Sequence, residues 1–187
     1  MKKRSISIIL FLALILLLFS CGPVKEGETS INTDAGELSF SAFSAVTLDG
    51  KPIDQSVFEG KKLTMINVWA TFCGPCIREI PDLGRLSTAY GEEFQIIGIP
   101  LDVVDYRLIE REEELTKAKE IITEADADYL HLIPSGSLYR LFLSEVQSVP
   151  TTVFVDGNGN QIGEIYVGAM SEKEWAEIIE ALLAHVK

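Results

Sequence analysis

An apolar run that leads directly into two closely spaced cysteines constrains the fold of this chain most. Residues 61–70, KKLTMINVWA, have the composition of a buried β-strand, and Cys73 and Cys76 follow with only Gly74 and Pro75 between them. After Cys73, apolar side chains recur at helical spacing, at Ile77, Ile80, Leu83 and Leu86. The sequence therefore predicts a strand-to-helix step with both cysteines at the beginning of the helix.

The rest of the chain alternates between strand-like and helix-like segments and closes with a hairpin and a helix. Strands are predicted at 93–101, 129–133, 151–155 and 161–167, and helices at 73–90, 105–126, 136–143 and 171–186. An N-terminal hairpin around Asp49 and Gly50 precedes them, and Pro81 should kink or interrupt the first helix. This order predicts an α/β fold with a mixed central sheet flanked by helices.

The position of Cys73 at a helix start favours its thiolate. Unpaired backbone N–H groups and the positive end of the helix dipole face a side chain there, so we expect the pKa of Cys73 to fall. Cys76 lies within the first turn, close enough to form a disulfide and more buried. We therefore interpret Cys73 as the nucleophile and Cys76 as the resolving cysteine. Gly74 allows close backbone approach and Pro75 is tolerated in a first turn, so we place both in the surface that meets a substrate.

Two other interpretations of the cysteine pair remain open from the residues alone. A zinc site needs two further ligands, and the two histidines of the chain, His131 and His185, show no ligand spacing. A purely structural disulfide would close a loop of a few residues and would add little stability through chain entropy. The redox interpretation is favoured over both, and neither a metal nor another cofactor is expected. We expect His131 to be a strand residue rather than a catalyst.

The first twenty residues have the pattern of a secretory signal peptide. Basic residues at positions 2–4 precede an apolar run over residues 6–19, which is shorter than the roughly 20 residues of a spanning helix. The end of the run, LFSCGP, resembles a bacterial lipobox, which implies cleavage before Cys21 and a diacylglyceryl group on its thiol. An uncleaved transmembrane anchor and a secreted protein with a spare thiol are the alternatives.

Charge limits the partners of the mature chain. Cleavage after residue 20 removes three positive charges and takes the formal net charge from −12 to −15. Such a surface repels nucleic acid and anionic lipid head groups, so a membrane link would pass through Cys21 alone. Residues 21–37 are polar and predict a flexible tether, and residues 38–187 predict one domain, which we expect to be monomeric. Outside the cytoplasm, disulfide chemistry is permitted.

The segment NVWATFCGPCIREIPDL resembles the active-site segment of the TlpA/ResA branch of the thioredoxin superfamily. Asn67 stands where thioredoxin has a buried aspartate, Glu79 follows Cys76 by three residues, and SVPTTVFVDGNG resembles the family's cis-proline segment. VGAMS resembles a family loop near the active site, whereas Phe72 departs from the family's frequent tryptophan. The resemblance covers about residues 38–187 and implies a thioredoxin-like fold with an N-terminal β-hairpin extension.

The resemblance also implies roles for individual residues. Glu79 would lie near the cysteines and help to move their protons. Trp69 would lie at the surface around Cys73 and contact the substrate. The bond before Pro150 would be cis, and the exposed backbone of Val149 would pair with an extended substrate peptide.

Proteins of this branch are membrane-tethered, extracytoplasmic thiol–disulfide oxidoreductases, so we expect a lipid-anchored enzyme that reduces protein disulfides. The expected electron donor is a membrane thiol carrier of the CcdA/DsbD type, and apocytochrome c is one of the family's substrates. The Gly-Pro dipeptide, shared with thioredoxin, favours reduction. A peroxiredoxin-like peroxidase and a non-enzymatic copper-delivery protein are the alternatives. Ala70 stands where the active-site motif of peroxiredoxins has a threonine. The two cysteines of this chain are spaced CxxC, whereas the copper-delivery proteins typically have CxxxC.

Overall fold

Eight strands form one mixed sheet in the computed structural model, which describes residues 35–186. The strands are β1 Ala35–Ser39, β2 Ser44–Thr47, β3 Pro52–Asp54, β4 Leu63–Trp69, β5 Phe94–Pro100, β6 Leu130–Ile133, β7 Thr151–Asp156 and β8 Asn160–Val167. Their order across the sheet is β1-β8-β7-β4-β5-β6-β2-β3. The central strands β4, β5 and β6 are parallel to one another, whereas β7 is antiparallel to both of its neighbours, β4 and β8. The sheet is therefore mixed, as the sequence pattern predicted.

Four helices accompany the sheet in the described part of the chain. They are α1 Gly74–Ala89, α2 Glu112–Glu124, α3 Gly136–Leu141 and α4 Glu172–Leu183. No helix among residues 35–186 is both long enough and apolar enough to cross a membrane. Helix α4 begins with the capping box that Ser171 and Glu174 indicated, because each accepts a hydrogen bond from the other's backbone.

Every residue of β4 is buried, because the strand is covered on both faces. Leu63 and Met65 pack on one side in a cluster with Trp175 of α4. Ile66 and Val68 pack on the other side with a set of phenylalanines, Phe40, Phe58 and Phe142. The last residues of β4 therefore lie between two apolar layers, and the cysteine pair that follows β4 is held on a rigid base.

Helix α1 follows β4 directly and carries Pro81 in its interior. The prediction that Pro81 interrupts this helix is wrong, since α1 continues to Ala89. Proline removes one hydrogen bond of the helix. However, Ile80 and Leu83 are only 1% and 0% exposed, so their packing against the sheet holds α1 together across this position.

Two segment boundaries differ from the sequence prediction. Strand β1 includes residues 35–37, which the sequence analysis assigned to the tether, and it pairs with β8. The predicted N-terminal hairpin is formed by β2 and β3. Helix α2 begins at Glu112 rather than near residue 105, because Asp105 Oδ1 accepts hydrogen bonds from the backbone N–H groups of Arg107 (2.8 Å) and Ile109 (3.0 Å). This local turn competes with helix formation. The predicted signal peptide, Cys21 and the remainder of the tether lie outside the described residues.

Candidate active site

Cys73 and Cys76 form a disulfide at the beginning of α1. Cys73 occupies the position before the first helical residue, and its Sγ accepts a hydrogen bond from the backbone N–H of Cys76 (3.2 Å). Cys73 is 7% exposed and Cys76 is 1% exposed. The structure therefore confirms that the pair is close enough to bond and that Cys76 is the more buried sulfur. In the reduced protein, the same N–H and the helix dipole would stabilise a Cys73 thiolate.

The surface beside Cys73 is built from Gly74, Pro75 and Arg78. All three are exposed, and a Cβ added to Gly74 would lie 3.4 Å from Nη1 of Arg78. The exposed backbone of Gly74, next to the nucleophile, therefore lies beside the Arg78 guanidinium. Gly74 and Pro75 are thus exposed beside Cys73, and contact of either residue with a substrate stays a prediction.

The segment before β7 lies against the disulfide. The Val149–Pro150 peptide bond is cis, and the Val149 carbonyl oxygen lies 3.6 Å from Cys73 Sγ. The Pro150 carbonyl accepts a hydrogen bond from the Gly168 N–H (2.9 Å), which ties the VGAM loop to this segment. The structure thus brings together Val149, Pro150 and Cys73, which lie far apart in the sequence.

Glu79 is a buried carboxylic acid on the face of α1 that also carries Cys76, three residues earlier. Its side chain is 3% exposed, and its Oε1 accepts hydrogen bonds from Trp175 Nε1 (2.6 Å) and the Met170 N–H (2.9 Å). Oε2 has no hydrogen-bond partner among the described residues. Burial raises the pKa of Glu79 above its ordinary value, although both donors favour the charged form.

A row of mostly polar residues crosses the sheet beside Glu79. Thr152, Asn67, Gly98 and His131 are register partners on β7, β4, β5 and β6. Asn67 Nδ2 donates to Thr152 Oγ1 (3.0 Å). A Cβ on Gly98 would lie 2.4 Å from Nδ1 of His131, so the imidazole occupies space that only glycine leaves open.

His131 is a buried strand residue, as predicted, and it belongs to the surroundings of the site. Its ring stacks on Tyr129 (centroids 4.4 Å apart) and meets the edge of Trp69 (6.1 Å). Burial lowers the pKa of His131 to about 4, so the imidazole is neutral at neutral pH. The sequence analysis missed Gly98 and Tyr129 as neighbours of the site; a glycine inside a buried strand was the available signal.

Trp69 does not lie at the surface around Cys73. Its side chain is 0% exposed and packs in the same apolar cluster as Cys73, Cys76 and Ile80. The expectation that Trp69 lies at the surface around Cys73 is therefore wrong. Trp69 is the last residue of β4, and its side chain is buried in the same cluster as both cysteines. Phe72, which is 74% exposed, is instead the aromatic residue presented to solvent next to Cys73.

Asp102 is a second residue that sequence reasoning missed. Its carboxylate accepts hydrogen bonds from the Thr71 N–H (3.0 and 3.1 Å) and from the Thr71 hydroxyl (2.7 Å). Thr71 lies two residues before Cys73. These bonds therefore attach the turn that holds Cys73 to the segment that follows β5.

Metal ligands are not gathered in the described part of the chain. Residues 35–186 contain no group of three histidine, cysteine, aspartate or glutamate side chains arranged to hold an ion. The chemistry available at this site is thiol–disulfide exchange between Cys73, Cys76 and an incoming sulfur.

Comparison with known proteins assigns this chain to a family. The Redoxin family profile matches residues 34–182, which include the disulfide, Glu79 and the cis-proline segment. The chain belongs to the Redoxin family. Redoxin proteins of the thioredoxin-like oxidoreductase type use a disulfide and no cofactor.

Relatives and solved structures narrow the assignment within the Redoxin family. The thiol-disulfide oxidoreductase ResA of Bacillus thuringiensis is 26% identical over 97% of this chain and 99% of its own length. The thiol:disulfide interchange protein DsbE of Vibrio cholerae is 31% identical over 74% of this chain and 69% of its own length. A crystal structure of a thiol:disulfide interchange protein from Chlorobium tepidum is 27% identical, with a TM-score of 0.65 over 80% of this chain and 99% of that one.

These comparisons confirm the predicted thioredoxin-like fold and the predicted resemblance. Together with the Cys73–Cys76 disulfide, they identify this Redoxin protein as a thiol–disulfide oxidoreductase of the ResA/DsbE type. They favour that activity over the peroxidase and copper-delivery alternatives.

Proposed function

We propose that the protein reduces disulfides of other proteins outside the cytoplasm, at a membrane to which a lipid on Cys21 anchors it. The observation that carries the proposal is the arrangement of Cys73 and Cys76 at the N-terminus of α1. In the reduced enzyme, the Cys73 thiolate attacks one sulfur of a substrate disulfide, and the other substrate sulfur leaves as a thiolate. Cys76 then attacks Cys73, which releases the reduced substrate and leaves the Cys73–Cys76 disulfide.

Reduction rather than oxidation is supported by the groups near the cysteines. Strong oxidants of this fold stabilise their reduced thiolate greatly, which favours the dithiol over the disulfide. Here the residues between the cysteines are glycine and proline, and the buried carboxyl of Glu79 lies on the same helix face as Cys76. A negative charge on Glu79 would oppose a thiolate on Cys76, so the reduced enzyme would lack part of the thiolate stabilisation that makes a strong oxidant.

Glu79 has the properties of a proton acceptor for Cys76. Its raised pKa brings the carboxyl closer to the working pH, where it can both accept and release a proton. A cleft of about 230 Å³ beside α1 is lined by Glu79 together with Arg78, Asp82 and Met170, and it gives protons a route to the carboxyl. When Cys76 must become a thiolate to attack Cys73, its proton would pass to Glu79.

The remaining parts of the proposal concern partners and place. The electron donor would be a membrane thiol carrier of the CcdA/DsbD type, which must reduce the Cys73–Cys76 disulfide after each cycle. Apocytochrome c is the proposed substrate, since its two haem-binding cysteines must be reduced before haem attachment. The protein would work as a monomer, since one chain contains every group that the exchange uses.

Trapping tests the proposed activity. In a Cys76→Ala variant the mixed disulfide on Cys73 cannot be resolved, so substrates should remain covalently attached and should appear as reducible adducts on gels. A Cys73→Ala variant serves as the control, since it keeps Cys76 but lacks the nucleophile. If both variants yield the same adducts, or neither yields any, the proposed reaction is wrong.

Anchorage has its own test. Wild-type protein expressed in a bacterium should fractionate with membranes and incorporate a labelled fatty acid, whereas a Cys21→Ala variant should incorporate none. Equal labelling of the two variants would refute lipid attachment at Cys21.

A further inference from the structure

A cavity of about 510 Å³ lies apart from the cysteine pair. It is bounded by the turn after β2, the second half of α2 and the beginning of β6, and we call it the β6 cavity. Neither cysteine lines it, and neither Glu79 nor the cis-proline segment does. A cavity of this volume suits a small organic ligand.

The turn after β2 forms one wall of the β6 cavity and is fixed in place. Thr47 Oγ1 accepts hydrogen bonds from the N–H groups of Asp49 (3.3 Å) and Lys51 (3.1 Å). The Leu48 N–H donates to the His131 carbonyl (3.0 Å), which ties the turn to β6. The wall therefore exists before a ligand arrives, and a preformed wall loses little conformational freedom on binding.

Four charged side chains surround the β6 cavity. Asp49 and Lys51 stand on the turn after β2, Lys119 stands on α2, and Asp128 precedes β6. None of the four forms an ion pair with another residue among 35–186. The two sides of the cavity thus each offer one cation and one anion.

The two lysines are notable because basic side chains are scarce in this protein. Residues 35–186 carry 25 acidic and 11 basic side chains, and two of the 11 line this one cavity. Their charge balances that of Asp49 and Asp128, so the cavity is locally neutral. A neutral set of charges that are not paired with one another suits a ligand with both signs of charge.

Between the charged groups the wall is apolar and aromatic. Leu48 is 8% exposed, and Ile122 and Leu130 are half-buried along the same cavity. The rings of Tyr129 and His131, which also line it, are stacked with centroids 4.4 Å apart. A ligand with aliphatic side chains would bury apolar area here.

Tyr129 and His131 also have unused hydrogen-bonding capacity. The Tyr129 hydroxyl and His131 Nδ1 are buried and have no hydrogen-bond partner in the described part of the chain. Such atoms are uncommon in folded proteins, and beside a cavity they favour a ligand that brings polar groups of its own. Because burial lowers the pKa of His131 to about 4, the imidazole adds no charge to the wall at neutral pH.

We propose that the β6 cavity binds a short peptide that has a free amino end, a free carboxyl end and aliphatic side chains. Lys51 and Lys119 bind the carboxylate, and Asp49 and Asp128 bind the ammonium group. The last turn of α2 also lies at the cavity, and the negative end of its helix dipole favours the ammonium group. The inference does not rest on the proposed reduction of disulfides, since no residue of the cavity takes part in sulfur exchange.

The test measures the affinity of three dipeptides by titration calorimetry at pH 7. The detergent-solubilised full chain is used with its disulfide intact. The probes are leucyl-leucine, N-acetyl-leucyl-leucine, which lacks the ammonium group, and leucyl-leucine amide, which lacks the carboxylate. Leucyl-leucine should saturate a single site, and each blocked dipeptide should bind about tenfold more weakly, because each loses a charge-assisted hydrogen bond.

Replacement of the cavity lysines should abolish the preference for a free carboxylate. In a Lys51→Gln/Lys119→Gln variant, the affinity ratio of leucyl-leucine to its amide should fall to about one. Lys117→Gln/Lys173→Gln is the matched control, because it removes the same charge from two exposed lysines that do not line the cavity. The control should keep the tenfold ratio.

Three results would overturn the inference. Leucyl-leucine gives no saturable heat up to about 10 mM, the three dipeptides bind equally, or the control variant lowers the ratio as much as the cavity variant does. None of these results bears on the reductase proposal, which the trapping experiment tests separately.

Discussion

Replacing Glu79 by glutamine should remove a specific pH dependence from the free energy of unfolding. The side chain is 3% exposed, and burial raises its pKa although Trp175 and Met170 donate hydrogen bonds to it. Between the pKa of the unfolded chain and that of the folded protein, the folded protein therefore holds a proton that the unfolded chain has released. In this interval, the free energy of unfolding of the wild type falls as the pH rises.

The magnitude follows from the number of protons. One proton gives a slope of at most about 1.4 kcal/mol per pH unit, beginning near the ordinary glutamate pKa of about 4.3. The stability that the extra proton on Glu79 provides is fully present below the pKa of the unfolded chain. It is lost once the pH has passed the pKa of Glu79 in the folded protein. Glutamine keeps the shape and the Oε1 acceptor of Glu79 but does not titrate. The stability of Glu79→Gln relative to the wild type should therefore rise with pH across this interval.

Urea unfolding between pH 4.5 and 8, with the disulfide intact, measures the effect. Glu113→Gln is the control, since Glu113 is exposed on α2 and its replacement should leave the wild-type slope unchanged. Parallel pH curves for the wild type, Glu79→Gln and Glu113→Gln would refute the reasoning, because they would show that Glu79 binds no extra proton in the folded state.

Three further substitutions test contacts around the site. Asp102→Ala removes the acceptor of the hydrogen bonds that fix the turn before the nucleophile, and urea unfolding should show a loss of about 1–3 kcal/mol. Gly98→Ala places a methyl group 2.4 Å from the His131 ring, and thermal unfolding should show a loss of about 1–3 kcal/mol, much of it recovered when His131→Ala is added. Trp175→Phe removes a hydrogen-bond donor to Glu79, so the pKa of Glu79 should rise further. The pH at which the infrared band of the protonated carboxyl disappears measures this pKa.

The sequence was sufficient for the order of the elements and for the cysteine chemistry, because both depend on local patterns. Strand β4 is a continuous apolar run that ends at the CGPC motif, and α4 begins with a capping box. These signals agree with the tertiary packing, so most of the predicted strands and helices formed, whereas α2 begins seven residues later than predicted.

The errors arose where tertiary contacts decide the outcome. The family resemblance placed Trp69 at the surface, but Trp69 ends a strand that is buried on both faces. Pro81 favours a helix end locally, but the packing of Ile80 and Leu83 outweighs this preference. The row that includes Asn67 and Gly98 depends on the register of neighbouring strands, which sequence periodicity does not specify.

The midpoint potential of the Cys73–Cys76 couple tests the proposed direction of electron flow most directly. It can be measured at pH 7 by equilibrating the protein with dithiothreitol mixtures of known ratio and counting the free thiols. The Gly-Pro dipeptide and the buried Glu79 carboxyl predict a reducing couple, more negative than about −220 mV and closer to thioredoxin at about −270 mV. A value near that of DsbA, about −120 mV, would contradict the account, because such a couple would oxidise substrate thiols rather than reduce disulfides.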